Sequence, residues 1–351
     1  MAASTVVFRA DASVTIGTGH VIRCLALADA LKSRGADCHF VCREQTGNLL
    51  DSIQGRGHVV HPLTGPRGGD TAAADWSVDA RRSGAVLEAL QADWLVVDHY
   101  ELGQDWEREI RPSVGRLMAI DDIGRPHLCD VLLDQNFPNP MHGRYGPSAT
   151  GDALLLLGPQ FALVRPEFAA LRTFALSRRD GSLRRVLVSM GGSDPEGETT
   201  KALTGLSASS GGSQWAVDVV VGAGNPNRRS VEEACARLPN ARLHVQTSRM
   251  ADLMAAADCA ITAGGSTSWE RCCLGLPALV TAVSPDQLAI AESLADAGVQ
   301  VFMGRNSELT SDDYAAALGE ITAARLREMS ACAAEICDGR GVERVAERLQ
   351  S

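Results

Sequence analysis

The chain has 351 residues, so two domains are expected rather than one, because single hydrophobic cores stop growing at roughly 250–300 residues. Its composition is that of a soluble globular protein, and a formal net charge of −10 argues against a nucleic-acid partner, which would call for a basic stripe. No apolar run reaches the roughly 18–20 residues of a membrane helix, and the first residues lack the basic start and apolar core of a signal peptide, so a cytoplasmic protein without membrane insertion is expected.

Val6, Val7 and Phe8 read as a buried first strand. The polar loop Arg9-Ala10-Asp11-Ala12-Ser13 follows, and then Gly17-Thr18-Gly19-His20. From Val21 the pattern turns helical: Ile22, Leu25, Leu27, Ala28 and Leu31 share a face, and Gly35 is a stop. Further strands are expected at 38–42, 59–60, 94–97, 117–120 and 131–133, with helices at 78–92 and 106–114. Continuous apolar strands indicate a parallel sheet covered on both faces. Pro138, Pro140, Gly143, Gly146, Pro147, Gly151 and Asp152 make a turn-rich loop. A strand at 154–157 and a helix at 165–177 come next.

Polar residues 178–182 lead to a second alternating set. Its strands are expected at 186–190, 217–221, 243–245, 259–262, 278–281 and 299–302. Its helices are expected at 198–207, 230–237, 250–257, 268–274 and 288–297, and the chain after Thr310 reads as helical throughout. The predicted organisation is a Rossmann-like domain over 1–157, a connection over 158–182, a second Rossmann-like domain over 183–310, and a helical tail over 311–351. The fold class is α/β: two doubly wound domains, expected to face a central cleft lined by the carboxyl ends of their strands.

The ten cysteines include no C-x-x-C pair and no histidine at zinc-finger spacing, so they read as reduced, buried small hydrophobes rather than metal ligands.

Chemistry is expected in the strand-end loops. Gly17, Thr18 and Gly19 open a helix, where backbone N–H groups and the helix dipole favour an anion, and His20 stands beside that anion. The second domain has Gly191-Gly192-Ser193 after one strand and Gly265-Ser266-Thr267 after another. Each loop alone is also what a tight strand-to-helix turn produces; three of them together favour a diphosphate ligand. Neither a Walker A sequence nor a G-x-G-x-x-G fingerprint is present. Glu270, a few residues into the last of these helices, suits ribose hydroxyls or is a solvated carboxylate. Asp98-His99-Tyr100, Asp121-Asp122 and Asp134-Gln135-Asn136 end strands of the first domain as cleft or turn residues. His99 rivals His20 as a base. His127 and His142 sit in loops and carry no signal.

These residues carry a resemblance. Arg9-x-Asp11-x-Ser13 followed by Ile16-Gly17-x-Gly19-His20-x-x-Arg23 resembles the signature of the UDP-sugar hydrolases of pseudaminic acid biosynthesis, the UDP-2,4-diacetamido-2,4,6-trideoxy-β-L-altropyranose hydrolases. Val97-Asp98-His99-Tyr100, Asp121-Asp122, residues 161–168, residues 190–194 and residues 266–270 extend it over about 5–305. The family is a small relative of the GT-B glycosyltransferases. The resemblance implies metal-independent, cofactor-free hydrolysis of a small-molecule UDP-sugar, with inversion at the anomeric carbon. It places the general base on His20 and the ribose carboxylate on Glu270. A polar residue near the reacting water corresponds to Asp286 or Gln287, where the chain has Asp-Gln and the family pattern has Asn-Gln. Arg9, Asp11, His99, Tyr100 and Arg165 fall among the substrate contacts, Arg165 being equally an ion-pair residue.

A UDP-sugar-dependent GT-B glycosyltransferase uses the same fold and nucleotide site, and is the alternative. It expects an acceptor surface, and Arg43, Arg56, Ile53, Leu49 and Leu50 form no obvious one. An epimerase and a non-enzymatic sensor are further rivals. The identity of the sugar and the oligomeric state are not legible in the sequence.

Overall fold

The computed structural model describes residues 3–63, 75–136, 145 and 151–350. The turn signals at Pro138, Pro140, Gly143, Gly146 and Pro147, and also His142, lie outside the described residues. The chain divides into two compact units, Met1–Val164 with Arg340–Ser351, and Arg165–Gly339.

The first unit is built on a parallel sheet of β1 (Thr5–Ala10), β2 (Asp37–Arg43), β3 (Val59–Leu63), β4 (Trp94–Asp98), β5 (Arg116–Ile120), β6 (Val131–Asp134) and β7 (Leu154–Leu157). The spatial order is β3-β2-β1-β4-β5-β6-β7. β1 pairs with β2 on one side and β4 on the other, so the winding reverses between β1 and β4. That reversal opens a crevice above the carboxyl ends of the two strands, where ligands of such sheets bind. Helix α1 (Gly19–Ser33) is buried around most of its girth, including Cys24, Leu25, Leu27, Ala28 and Leu31. The reason is double cover. The sheet lies on one side, and on the other the last helix, Gly341–Gln350, adds Val342, Val345, Ala346 and Leu349 to the same core. These four sit at helical spacing and form one apolar stripe.

The second unit holds β8 (Arg185–Ser189), β9 (Ala216–Val221), β10 (Ala241–Val245), β11 (Cys259–Ala263), β12 (Ala278–Ala282) and β13 (Val301–Arg305). All pairs are parallel, and the order β10-β9-β8-β11-β12-β13 again reverses, here between β8 and β11. Residues 311–351 are divided between the units. The helix Ser311–Glu320 packs on the helix Glu198–Ala208, where the Tyr314 hydroxyl donates to Glu198 Oε1 at 2.6 Å. The helix Ala323–Ile336 also belongs to the second unit, and the final helix to the first.

The last strand begins two residues later than the apolar run at 299–302 suggests. Buried Gln300 bonds Arg271 and, through Nε2 at 2.9 Å, the carbonyl of Ala291, so it anchors a turn instead of joining the ladder. Among the described residues no helix is long and apolar enough to cross a membrane.

Candidate active site

The loop after β1 is a tight turn. Gly17 has φ +81° and exchanges backbone hydrogen bonds with Ser13, its N–H reaching the Ser13 carbonyl at 2.9 Å. A side chain at that φ is strained, which is the physical need for this glycine. The same bond corrects one expectation: the Gly17 N–H is engaged inside the turn and not held out to an anion. Thr18 is the exposed residue before α1, and its side chain makes no cap. Gly19 and His20 open the helix.

His20 is buried, and its Nδ1 lies 2.7 Å from Oδ1 of Asp98, the last residue of β4. Asp98 also accepts from Arg23 through Nε (2.6 Å) and Nη2 (2.7 Å), and from the Cys24 thiol at 3.7 Å. Burial pushes the Asp98 carboxyl up, but the Arg23 guanidinium and then His20 outweigh it and hold the group well below the usual carboxylate range. An ionised Asp98 has no proton to give, so the hydrogen in the 2.7 Å contact sits on His20 Nδ1. Arg23 Nη2 at 3.3 Å from Nδ1 is then a donor facing a donor, a charge contact and not a hydrogen bond. Nε2 makes no hydrogen bond among the described residues. Tyr100 lies edge-on to His20, ring centroids 4.8 Å apart, and is half exposed. Burial, followed by Asp122, pushes its phenol up, so it stays protonated.

Arg9, Asp11 and His99 are arranged differently from the expected substrate contacts. Arg9 is fully buried and grips Asp11 (2.7 and 2.9 Å) and Asp79 (3.1 and 2.7 Å). Asp11 in turn accepts the Arg43 backbone N–H at 2.7 Å, tying the β1 and β2 ends together. Trp106 Nε1 donates to Asp79 at 3.0 Å. His99 Nε2 lies 3.1 Å from Asp11 Oδ2, and His99 Nδ1 accepts the Glu101 N–H at 3.1 Å. Nδ1 therefore carries no hydrogen, Nε2–H donates, and the ring has no lone pair left to act as a base. Burial first, against the pull of Asp11, keeps its pKa below that of an ordinary histidine. Of the two candidate histidines, only His20 keeps a free nitrogen.

The loops of the second unit are not equivalent either. Gly191 and Gly192 are open, with space where a Cβ would stand, and Ser193 is exposed beside them. The helix that follows is already capped: Asp194 accepts the N–H groups of Glu198 and Thr199, both at 2.9 Å. An anion at that helix start would meet a carboxylate. The neighbouring Gly222 is required because a Cβ there would strike the Gly192 carbonyl. After β11, the helix Thr267–Cys273 has no side-chain cap from Ser266. Ser266 is exposed, and Gly265 and Thr267 are half-buried. This is the open loop of the two.

Glu270 sits in the first turn of that helix and is buried, its Oε1 accepting from Arg165 Nε at 2.7 Å. Burial pushes its carboxyl up, against the pull of Arg165. Arg165 also reaches Glu167 at 3.2 Å and lies over the Phe168 ring. Gln287 serves the loop directly: its Oε1 accepts the N–H groups of Gly264 (3.1 Å) and Val283 (3.2 Å). Only its amide nitrogen remains for a ligand. Asp286 is exposed.

Sequence reading misses two groups that the structure brings forward. Arg23 stands in the motif without an assigned role, although its i+3 spacing from His20 puts both on one helix face. His127 lies buried between Glu107 (Nδ1 to Oε1, 2.6 Å) and Asp121 (3.4 Å). Among the described residues, no group of three or more His, Cys, Asp or Glu is placed to hold a metal ion.

No family model matches the chain. It is 29% identical to the spore coat polysaccharide biosynthesis protein SpsG of Bacillus subtilis over 202 residues, which is 57% of this chain and little more than half, 59%, of that protein. It is 25% identical to the UDP-2,4-diacetamido-2,4,6-trideoxy-beta-L-altropyranose hydrolase of Campylobacter jejuni over 256 residues, 71% of this chain and 81% of that protein. Among solved structures, MurG of Acinetobacter baumannii matches with a TM-score of 0.72 over 99% of both chains at 16% identity. That likeness concerns the fold: two Rossmann-like, doubly wound units of the GT-B class, as the sequence led us to expect.

Proposed function

We propose that the chain hydrolyses a UDP-linked 2,4-diacetamido-2,4,6-trideoxy sugar, releasing UDP and the free sugar, as a step of pseudaminic acid biosynthesis. The observation that carries this reading is the His20–Asp98 contact of 2.7 Å, which engages Nδ1 and leaves Nε2 as the free ring nitrogen. The Campylobacter relative, whose name states that reaction, supports it. In the proposed step a water oxygen bonds to the anomeric carbon as the bond from that carbon to the phosphate oxygen breaks. UDP departs with the electron pair, His20 Nε2 takes the water proton, and the configuration inverts. A positioned histidine suits this task because its protonation changes near neutral pH.

The other roles fall to residues at the open loop after β11 and around His20. Glu270 holds the ribose hydroxyls through the oxygen that Arg165 leaves free. The N–H groups and hydroxyls of Ser266 and Thr267 meet the leaving phosphate, with Arg165 nearby. Gln287 offers its amide, and Asp286 its carboxylate, to the ligand bound at that loop of the second unit. Tyr100, Thr18 and Gly19 border His20 on the sugar side. No metal takes part.

The test is a product assay by NMR on this UDP-sugar with no acceptor present. Free UDP and free sugar of inverted configuration support the reading, and the rate should survive EDTA. UDP release that requires an added acceptor indicates a glycosyltransferase. A changed UDP-sugar with no UDP released indicates an epimerase. Either result overturns it, as does EDTA inactivation that added divalent metal reverses.

A further inference from the structure

We propose that Arg23 is a positioning residue that sets the protonation state of the His20–Asp98 pair, keeping the Nε2 lone pair available at neutral pH. The inference rests on the reading of His20 as the base and adds what makes it one.

The effect is electrostatic and local. A buried carboxylate beside an imidazole stabilises the imidazolium, the form that cannot accept a proton. Left alone, Asp98 would disarm the base it orients. Arg23 works against this in two ways. Its fork engages both oxygens of Asp98, at 2.6 and 2.7 Å, so the carboxylate charge is shared with a permanent cation. Its Nη2 also stands 3.3 Å from His20 Nδ1, so a second positive charge on the ring would face the first directly. The pair thus keeps the orienting hydrogen bond without the full pull toward imidazolium.

The other groups around His20 do not supply this offset. Cys24, on α1, donates its thiol hydrogen to Asp98, and burial pushes that thiol well up, so it stays neutral. Tyr100, after β4, is held protonated. Asp122, after β5, lies 3.2 Å from Arg23 Nη1 and anchors the far side of the guanidinium. Arg23 is the cation in direct contact with both members of the pair.

The experiment compares Arg23→Gln and Arg23→Lys with the unaltered protein by the pH dependence of kcat/KM. For Arg23→Gln the acid limb should move up by about one pH unit, the size of effect a close charge produces, with the rate recovering toward alkaline pH. Arg23→Lys keeps the charge and should hold the limb near its original position at a reduced rate. Equal losses at every pH, with the limb unmoved in both variants, mean that Arg23 is only structural and overturn the proposal. A companion measurement needs no substrate and no loss of Arg23. Long-range 1H–15N spectra of the ligand-free protein should show His20 with the proton on Nδ1 and no imidazolium at neutral pH. A ring protonated on Nε2, or already imidazolium there, overturns the proposal whether or not the Gln variant folds. Because this signal is read without turnover, failure of the hydrolase reading and failure of the Arg23 inference are told apart.

Discussion

His20 and Asp98 are 78 residues apart in the chain and meet at 2.7 Å through Nδ1 and Oδ1. The sheet order brings them together. β1 and β4 are neighbours although two strands and their helices separate them in sequence, so the start of α1 and the end of β4 share the reversal point of the first unit. A histidine in the first turn of the helix after β1 can reach a carboxylate on the last residue of β4.

Replacing the two candidate histidines should separate base from scaffold. His20→Ala is expected to lower kcat by about 10²–10⁴-fold, the usual contribution of a general base, while UDP binding persists. His99→Ala removes a partner of Asp11 and should chiefly lower the thermal midpoint. Paired measurements of kcat and Tm decide the matter. If His99→Ala abolishes turnover in a fully folded protein while His20→Ala does not, the assignment is reversed.

Asp98→Asn should damage both stability and rate. The amide cannot balance Arg23, which loses its two shortest charge contacts and keeps only Asp122 at 3.2 Å, so the loss should fall at or below the roughly 3–5 kcal/mol that breaking a buried pair costs. The amide can also donate to His20 and so allow the other tautomer. Urea titration should show the midpoint falling, and the residual activity of the folded fraction should be well below the unaltered level. A variant of unchanged stability would contradict the ion-pair geometry.

Much of this is legible in the residues alone. Continuous apolar runs between helical stretches point to both parallel sheets, because strands covered on both faces need no polar alternation. His20 stands out because it follows a glycine turn at a helix start. What the pattern conceals is which polar atoms are already engaged. Arg9, Asp11 and His99 look as available as His20 when read along the chain. Only the folded geometry shows Arg9 and Asp11 sealed together and both nitrogens of His99 occupied. Asp194 is hidden for the same reason: a glycine loop before a helix reads as an anion site until the cap that fills it is seen. Long-range pairing such as that of His127 with Glu107 has no local signal at all.

Glu270→Ala should weaken UDP binding more than it lowers kcat. Hydrogen bonds to a charged group are worth about 1.5–3 kcal/mol, so the affinity for UDP should fall by about 10- to 100-fold. The substitution also frees Arg165 from its 2.7 Å partner, but Glu167 remains within 3.2 Å to hold the cation. Calorimetric titration with UDP reads the loss. Unchanged affinity would remove Glu270 from the nucleotide site.

The buried His127 should make stability fall in alkali. Burial alone would lower its pKa, but hydrogen bonding and charge from Asp121 and Glu107 raise it from the ordinary 6.5 to about 9. The imidazolium is thus favoured by the folded state. Its contribution is complete below about 6.5, the unfolded value, and is lost as pH rises through about 9. Each tenfold gain in proton affinity on folding is worth about 1.4 kcal/mol, so the contribution is on the order of 3 kcal/mol. His127→Gln should therefore be less stable than the unaltered protein at pH 6 and should show a flatter decline of Tm between about pH 7 and 10. The readout is Tm across that range by calorimetry at constant ionic strength. Parallel curves for the two proteins would mean that Glu107 and Asp121 do not hold a charged ring in the folded state.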